Sequence, residues 1–199
     1  MGLDRMWRLG LGPAGLHPLA RRIGADVPFF LLGGTALGLG RGDEVYPLYR
    51  QVRAHVVVAD PGRALSTAAV FRRLDRSLTP RENSHRIFRF ISRDLEGEGT
   101  ALPILANDLE AAALEEAPDL ADQVRHIRGI LVREGAVSAS LSGSGSSFFG
   151  LFDDPQRARR AHAALAAEGV HAFRCRTLSL GQYRGAWRRA LGQEGRGTR

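Results

Sequence analysis

The sequence predicts an α+β protein of two domains, the second of which is ferredoxin-like. From about Val52 onward, with additional helices set aside, the apolar patterns follow the order strand, helix, strand, strand, helix, strand. This order is the split β-α-β arrangement of a ferredoxin-like domain. Before that point, helical spacing followed by a glycine-rich hairpin pattern indicates a separate unit. We therefore expect domains at residues 1–50 and 51–185, and a basic tail at 186–199 that is disordered.

The first domain is predicted to consist of helices followed by a hairpin. Apolar residues at i, i+3 and i+4 spacing open the chain, so it is expected to begin inside a helix. A second helix carries an apolar stripe and ends at Gly24. The predicted elements are an opening helix through Leu3, Met6 and Trp7, a helix at 14–22 with Leu16, Leu19, Ala20 and Ile23 as its stripe, a turn around Asp26, and strands at 35–40 and 44–48.

The second domain is predicted from alternating apolar runs, helix stripes and turn residues. An aspartate followed by Pro155 is typical of a helix start, and the helix that follows has a stripe of small and apolar residues. The predicted strands are 52–59, 137–141, 147–152 and 170–180. The predicted helices are 66–74, 87–91, 105–116, 120–134 with Leu120, Val124, Ile127 and Leu131 on one stripe, and one from Pro155 with Ala158, Ala161 and Leu165 as its stripe. An exposed loop is expected at 94–100.

The composition indicates a soluble globular protein. Of the 199 residues, 44% are hydrophobic and 25% charged, and no apolar run approaches the roughly 20 residues of a membrane span. The single Cys175 cannot form an internal disulfide, which favours the reducing cytoplasm. The six histidines have no paired metal-ligand spacing, so we expect no metal site built by the protein itself.

The net charge of +7 lies mostly at the carboxyl end of the chain. Seven arginines and one acid fall between Arg174 and Arg199, which accounts for +6 of the total. A basic tail without interleaved aromatic residues is typical of a solvated end, so nucleic-acid binding is not expected. All 28 basic residues are arginine, which excludes a Schiff-base mechanism and a lysine-bearing Walker loop within this chain.

Two stretches carry residues suited to chemistry. In GADVPFF, an ionised Asp26 among apolar neighbours needs a partner or a use, because burying an unpaired carboxylate is costly. Residue type alone favours a helix cap for Asp26 over a catalytic role. In LSGSGSSFF, the Gly/Ser pairs between two strands are typical of a hairpin turn, and their amides can also form an anion-binding nest.

Five motifs in one order give the chain a family resemblance. GADVPFF, GRGDEVYPL, LSTAAVF, NDLE and LSGSGSS follow one another between Leu3 and about Tyr183, and together they resemble the GHMP kinases, a family of small-molecule kinases. The resemblance implies the end of the family's amino-terminal domain followed by its ferredoxin-like carboxyl-terminal domain. It also implies phosphoryl transfer from ATP, with Mg²⁺ bound to the ATP. The branch it resembles acts on a small alcohol that carries a cytidyl diphosphate.

The resemblance also implies roles for individual residues. Asp26 would orient the substrate hydroxyl and accept its proton. Phe71 would stack on the cytosine, with Thr67 on the same helix face, although a phenylalanine on an amphipathic helix more often lies in the core. Asn107 and Asp108 are predicted only to cap or open a helix. The loop predicted to line the active site beside the phosphate loop consists of Ser142, Gly143, Ser144 and Gly145.

The family's glycine-serine phosphate loop and its catalytic lysine have no counterpart in this sequence. We therefore expect residues 1–199 alone to be catalytically silent and to expose apolar surface around Phe29, Phe30 and Leu31. One alternative is a non-catalytic fragment that acts as a binding module, and another is a GHMP kinase for homoserine, mevalonate or a sugar. An RNA-binding ferredoxin-like module is disfavoured because no strand carries paired aromatic residues. No feature of the sequence specifies an oligomeric state.

Overall fold

The structure, a computed structural model, describes residues 2–48, 51–77 and 107–192. The predicted helix at 87–91 and the predicted loop at 94–100 lie outside these residues, as does the end of the chain from 193. The described residues group into two units. The first unit contains residues up to 52 together with those from 178, and the second contains residues between 53 and 177.

Both units contain helices and strands. In chain order, the helices of the described residues are α1 Gly2–Met6, α2 Gly12–Ile23, α3 Phe29–Leu32, α4 Thr67–Ser77, α5 Leu109–Glu116, α6 Pro118–Arg133, α7 Pro155–Ala167 and α8 Leu180–Ala190. The strands are β1 Ala36–Leu39, β2 Glu44–Pro47, β3 His55–Asp60, β4 Ser138–Leu141, β5 Phe148–Phe152 and β6 His171–Arg176.

The second unit is built on a four-stranded antiparallel sheet with the strand order β4-β5-β3-β6. Helices connect β3 to β4 and β5 to β6, whereas β4 and β5 are joined by a short loop. This is the split β-α-β arrangement, so the predicted fold class is confirmed. Helices α6 and α7 pack against the sheet. The side chains predicted to form their stripes are all buried, and on the sheet they meet Val57, Ala59, Phe148 and Phe152.

The start of α7 follows the predicted signal. Asp154 has an extended backbone and its carboxylate accepts a hydrogen bond of 2.7 Å from the N–H of Gln156. Pro155 follows in the first turn, where its missing N–H is not needed.

In the first unit, β1 and β2 form the predicted antiparallel hairpin, in which Leu39 pairs with Glu44. Helix α2 also forms as predicted, but its apolar stripe is only partly covered. Ala20 is buried, whereas Leu19 and Ile23 are exposed. Periodicity specifies the apolar face of a helix and not the partner that covers it, so the predicted stripe is present without being buried along its whole length.

The hairpin turn holds a buried carboxylate. Asp43 is 2% exposed, and its Oδ2 accepts hydrogen bonds from Arg21 Nε at 2.9 Å and from Arg41 at 3.2 Å. The hydrogen bond from Arg21 is the main cause that lowers the pKa of Asp43 below its ordinary value, against an opposing effect of burial. The two guanidinium groups therefore keep Asp43 ionised and fasten the turn to α2.

The chain after β6 differs from the sequence prediction. The predicted strand at 170–180 ends at Arg176, and residues 180–190 form α8 where a domain end and a disordered tail were expected. A capping box starts α8, because Ser179 accepts from the N–H of Gln182 while the Gln182 side chain accepts from the N–H of Ser179. The sequence contained this signal, but the apolar residues beside it were assigned to the strand.

Tyr183 explains why α8 groups with the first unit. Its hydroxyl donates a hydrogen bond of 2.7 Å to the carbonyl oxygen of Phe30. Its ring lies against Gly33, where a Cβ would stand only 2.1 Å from Tyr183 Cδ1. Gly33 has a φ of 72°, so both the backbone and the packing at this position require glycine.

We predict that Asp43→Asn lowers the unfolding midpoint of the first unit at neutral pH. The pKa of Asp43 is lowered in the folded state, so its ion pairs stabilise the fold above the unfolded pKa of about 3.9 and stop doing so as the pH falls through the folded pKa. The difference between variant and wild type should therefore shrink on acidification. Urea unfolding can be followed by tryptophan fluorescence, because both tryptophans, Trp7 and Trp187, belong to this unit.

The matched control is Glu44→Gln, at the neighbouring position. The Glu44 side chain is half-exposed and its nearest charged partner, Arg21, is 3.9 Å away, so little change is expected. A stability difference between Asp43→Asn and wild type that stays constant from pH 7 down to pH 3 would contradict the role given to the charge.

Candidate functional site

Asp26 lies in a turn of the first unit. The turn covers residues 25–28, between α2 and α3, and the N–H of Val27 donates to the carbonyl oxygen of Gly24 at 3.3 Å. Pro28 occupies the capping position of α3, and no side chain caps that helix. The interpretation of Asp26 as a helix cap is therefore wrong.

The Asp26 side chain is exposed. Among the residues that the structure describes, it has no hydrogen bond or ion pair with another side chain or with the backbone. A carboxylate that is not engaged by arginine keeps its lone pairs available for a hydroxyl proton. In this respect Asp26 is the opposite of Asp43, whose carboxylate is held by two guanidinium groups.

The loop of Ser142, Gly143, Ser144 and Gly145 joins β4 to β5 in the second unit. The N–H of Ser142 donates to the carbonyl oxygen of Ser147 at 2.9 Å, and the N–H of Gly145 donates back to that of Ser142 at 3.0 Å. Beyond the loop, the Ser146 hydroxyl donates to the carbonyl oxygen of Arg63. Ser142 and Gly143 are exposed, so a ligand can reach the backbone at the tip of the loop.

Thr67 and this loop are in direct contact. The Thr67 Oγ1 lies 2.8 Å from the Ser144 Oγ, and either hydroxyl can be the donor. Thr67 is the first residue of α4, which places the start of this helix beside the loop. The structure thus brings together two of the residues that the sequence singled out.

Phe71 lies one helical turn after Thr67 and is 47% exposed. The expectation that a phenylalanine on this helix packs in the core is therefore wrong for Phe71. The residue of α4 that fills the core is its neighbour Val70, which is fully buried. An aromatic ring with half its surface in solvent can take a flat ligand on its face.

Sequence reasoning gave Asn107 no role beyond helix capping, but the structure places it at the loop. Its side-chain amide donates to the carbonyl oxygens of Leu141 at 2.9 Å and of Gly143 at 2.7 Å. Its Oδ1 also accepts from the N–H of Leu109, the first residue of α5, while Asp108 occupies the capping position of that helix. The missed contact joins residues 34 positions apart, so no local pattern could have revealed it.

Neither a metal site nor a membrane span is found in the described part of the chain. Among residues 2–48, 51–77 and 107–192, no three His, Cys, Asp or Glu side chains are grouped so that they could hold a metal ion. In these same ranges, no helix is long and apolar enough to cross a membrane.

Comparison with known proteins gives the family. Residues 92–171 match the family model described as GHMP kinases C terminal. A relative from Solibacter usitatus (strain Ellin6076), named 4-diphosphocytidyl-2-C-methyl-D-erythritol kinase, is 40% identical over 185 residues, which are 91% of this chain and 56% of that protein. Residues 92–171 therefore match the carboxyl-terminal domain of the GHMP kinases, and 91% of the chain is similar to a named member of that family.

Further GHMP kinases are also similar to this chain in sequence or in fold. A relative of the same name from Chlorobium luteolum is 39% identical over 80% of this chain and 54% of its own length. A crystal structure of 4-(cytidine 5'-diphospho)-2C-methyl-D-erythritol kinase superposes with a TM-score of 0.62 at 35% identity, covering 81% of this chain and 56% of the other. Homoserine kinase from Cytophaga hutchinsonii, at 15% identity and a TM-score of 0.63, is similar in fold. The chain spans about half the length of the curated relatives that it matches.

We predict that Gly145→Ala destabilises the second unit more than Gly143→Ala does. Both glycines have positive φ, so each change carries a backbone cost of about 1–2 kcal/mol. A Cβ at Gly145 would also stand 3.0 Å from Leu141 Cδ2 and 3.2 Å from Leu65 Cδ1, whereas at Gly143 it would meet no atom within 4 Å. Overpacking at Gly145 should add about 1–3 kcal/mol, measurable by urea unfolding followed by circular dichroism. Equal losses in the two variants would contradict the packing observed at the loop.

Proposed function

We propose that this chain is part of an ATP-dependent kinase that phosphorylates the 2-hydroxyl of 4-CDP-2-C-methyl-D-erythritol in the non-mevalonate isoprenoid pathway. The reaction would convert ATP and this cytidyl alcohol to ADP and the 2-phosphate. One observation carries the proposal: relatives that match 80% to 91% of the chain at 39% to 40% identity bear the name of this kinase. We place the protein in the cytoplasm, because its single cysteine forms no internal disulfide.

The environment of Asp26 supports its role as the base. The carboxylate is exposed and, among the described residues, has no arginine partner, so it can accept a hydrogen bond from a substrate hydroxyl. In phosphoryl transfer, the protein mainly positions the reactants and stabilises the developing charge. Asp26 would hold the hydroxyl oxygen toward the γ-phosphate and take its proton as the new O–P bond forms.

The exposed face of Phe71 supports a stacking role for the cytosine. Every nucleobase has a π-face, so a half-exposed phenylalanine at a fixed position can hold one without reading its edges. Thr67, one helical turn earlier and in contact with Ser144, would bind polar groups of the same ligand. The substrate partner is therefore proposed to be a small cytidyl diphosphate alcohol.

The loop of Ser142 to Gly145 is proposed to line the ATP site. Its exposed tip lets an anionic ligand approach the backbone closely, which glycine permits. Because no acidic cluster that could hold a metal is found among the described residues, Mg²⁺ would be bound mainly by the phosphates of ATP.

Specific observations also support two alternatives to this proposed function. The fold is shared with homoserine kinase and with L. major mevalonate kinase, so another small alcohol remains a second candidate substrate. A non-catalytic binding fragment is the other alternative, because the chain covers about half of its relatives' length. The deciding experiment assays ADP release by residues 1–199 and by an amino-terminally extended version, with the cytidyl alcohol, homoserine and mevalonate as substrates. Turnover of the cytidyl alcohol by the extended version supports the proposal, and activity in neither version supports the binding fragment.

We predict that Asp26→Asn, made in the extended version, lowers kcat by about 10²–10⁴ and leaves KM for the cytidyl substrate within about threefold. The amide cannot accept the proton, whereas ground-state binding loses little. The matched control is Asp122→Asn on α6, where an exposed carboxylate pairs with Arg125 and has no proposed role, so kcat should not change. A kcat of Asp26→Asn within about threefold of wild type would remove the base role from this residue.

We predict that Phe71→Ala weakens binding of the cytidyl substrate by about 5- to 150-fold, because a stacked base contributes roughly 1–3 kcal/mol. Affinity for ATP should barely move. Isothermal titration with each ligand separately makes the measurement. Phe173→Ala is the control, since Phe173 is a 54% exposed phenylalanine on β6. Equal weakening of both ligands by Phe71→Ala would instead indicate a structural role.

A further inference from the structure

The NDLE segment, residues 107–110, contacts the end of the edge strand β4 through two side chains. The Asn107 amide donates to the carbonyl oxygens of Leu141 and Gly143, as described above. The Glu110 Oε2 accepts from the N–H of Leu141 at 3.3 Å. Both backbone polar groups of Leu141 are therefore bound by side chains of one short segment.

The pairing of β4 with β5 explains why Leu141 needs these partners. The bond from Ser142 N–H to Ser147 joins the next residue pair in the ladder, so Leu141 and Phe148 form a pair without mutual hydrogen bonds. The N–H and C=O of Leu141 consequently point away from β5, toward a side of β4 where the described residues add no further strand. Leu141 is buried, and an unpaired buried backbone group is costly.

The orientation of the Asn107 amide is fixed by its three partners. The carbonyl oxygens of Leu141 and Gly143 can only accept, so they face the NH₂ group, and the N–H of Leu109 can only donate, so it faces Oδ1. One side chain thereby both starts α5 and holds the first residues of the loop.

Glu110 is itself held in place. Its Oε1 pairs with the guanidinium of Arg128, and that guanidinium lies 5.1 Å from the ring centroid of Phe148. An ion pair and a cation–π contact therefore fix the carboxylate that receives the Leu141 N–H.

We propose that Asn107 and Glu110 are positioning residues that hold the Ser142–Gly145 loop in the shape required for turnover. The role in turnover rests on the proposed kinase function, whereas the contacts that hold the loop are observed in the structure. Asn107 contributes more to holding the loop than Glu110 does, because its amide donates to Gly143 within the loop as well as to Leu141 before it. Thr67 contacts the same loop from α4.

Two substitutions separate the contacts of Asn107 with the loop from its contact with the first residue of α5. Asn107→Asp keeps an acceptor for the Leu109 N–H but has no donor for the two carbonyl oxygens, and Asn107→Ala loses both functions. In residues 1–199, hydrogen exchange at 141–147 should become at least roughly tenfold faster in both variants, because each loses the two hydrogen bonds from the Asn107 amide and one hydrogen bond alone is of that order. Exchange in β6 should stay unchanged. The control is Glu115→Gln, an exposed acid on the same helix.

The kinetic part uses the amino-terminally extended protein. Both Asn107 variants should lower kcat about 10- to 100-fold and leave KM for the cytidyl substrate within about twofold, because a misplaced loop impairs the reacting geometry more than the ground-state complex. Should both Asn107 variants fail to fold, Glu110→Ala tests the second contact with the same two measurements.

The outcomes separate this inference from the proposed function. Faster exchange at 141–147 together with the loss of kcat in Asn107→Asp supports the inference. Wild-type exchange or wild-type kcat in Asn107→Asp overturns it, since Asn107 would then serve only to start α5. Absence of turnover in the unmodified extended protein overturns the proposed function and with it the role in turnover, while the exchange measurement still decides whether Asn107 orders the loop.

Discussion

The second unit depends on burying one face of its sheet under α6 and α7. Val57 and Ala59 of β3 face these helices together with Phe148 and Phe152 of β5, and the register pairs Val57 with Gly150. A shift of one residue would move this apolar set to the opposite face, so burial fixes the register. The register in turn determines which backbone groups of β4 point outward and where the loop leaves the sheet.

The loop between β4 and β5 illustrates how a fold can hold an exposed segment without burying it. Its tip at Ser142 and Gly143 is exposed, yet neighbouring elements bind it from two sides. Asn107 binds its backbone carbonyl groups and Thr67 its Ser144 hydroxyl. Such contacts lower the conformational entropy that a ligand would otherwise have to remove, which is the advantage of a preorganised site.

The first unit shows two opposite uses of a carboxylate. Asp43 is buried, and the hydrogen bond from Arg21 lowers its pKa, so its charge stabilises the hairpin turn. Asp26 is exposed in a turn, and its carboxylate does not cap α3 because Pro28 occupies the capping position. From sequence, both residues are an aspartate beside glycines and a turn. Only the arginines brought in from α2 and the hairpin distinguish them.

The sequence by itself determined the class of fold and those elements that carry a strong local signal. Alternation in β3, the stripes of α6 and α7 and the Asp154-Pro155 start of α7 are local signals, and each of them is present in the structure. Five motifs in order also identified the family. Tertiary structure decided which residues meet. It placed Asn107 against Gly143 of the loop, 36 residues away, left Phe71 exposed while burying Val70, and joined α8 to the first unit through Tyr183. Periodicity reports the face of a single segment, whereas these outcomes depend on which other segment covers that face.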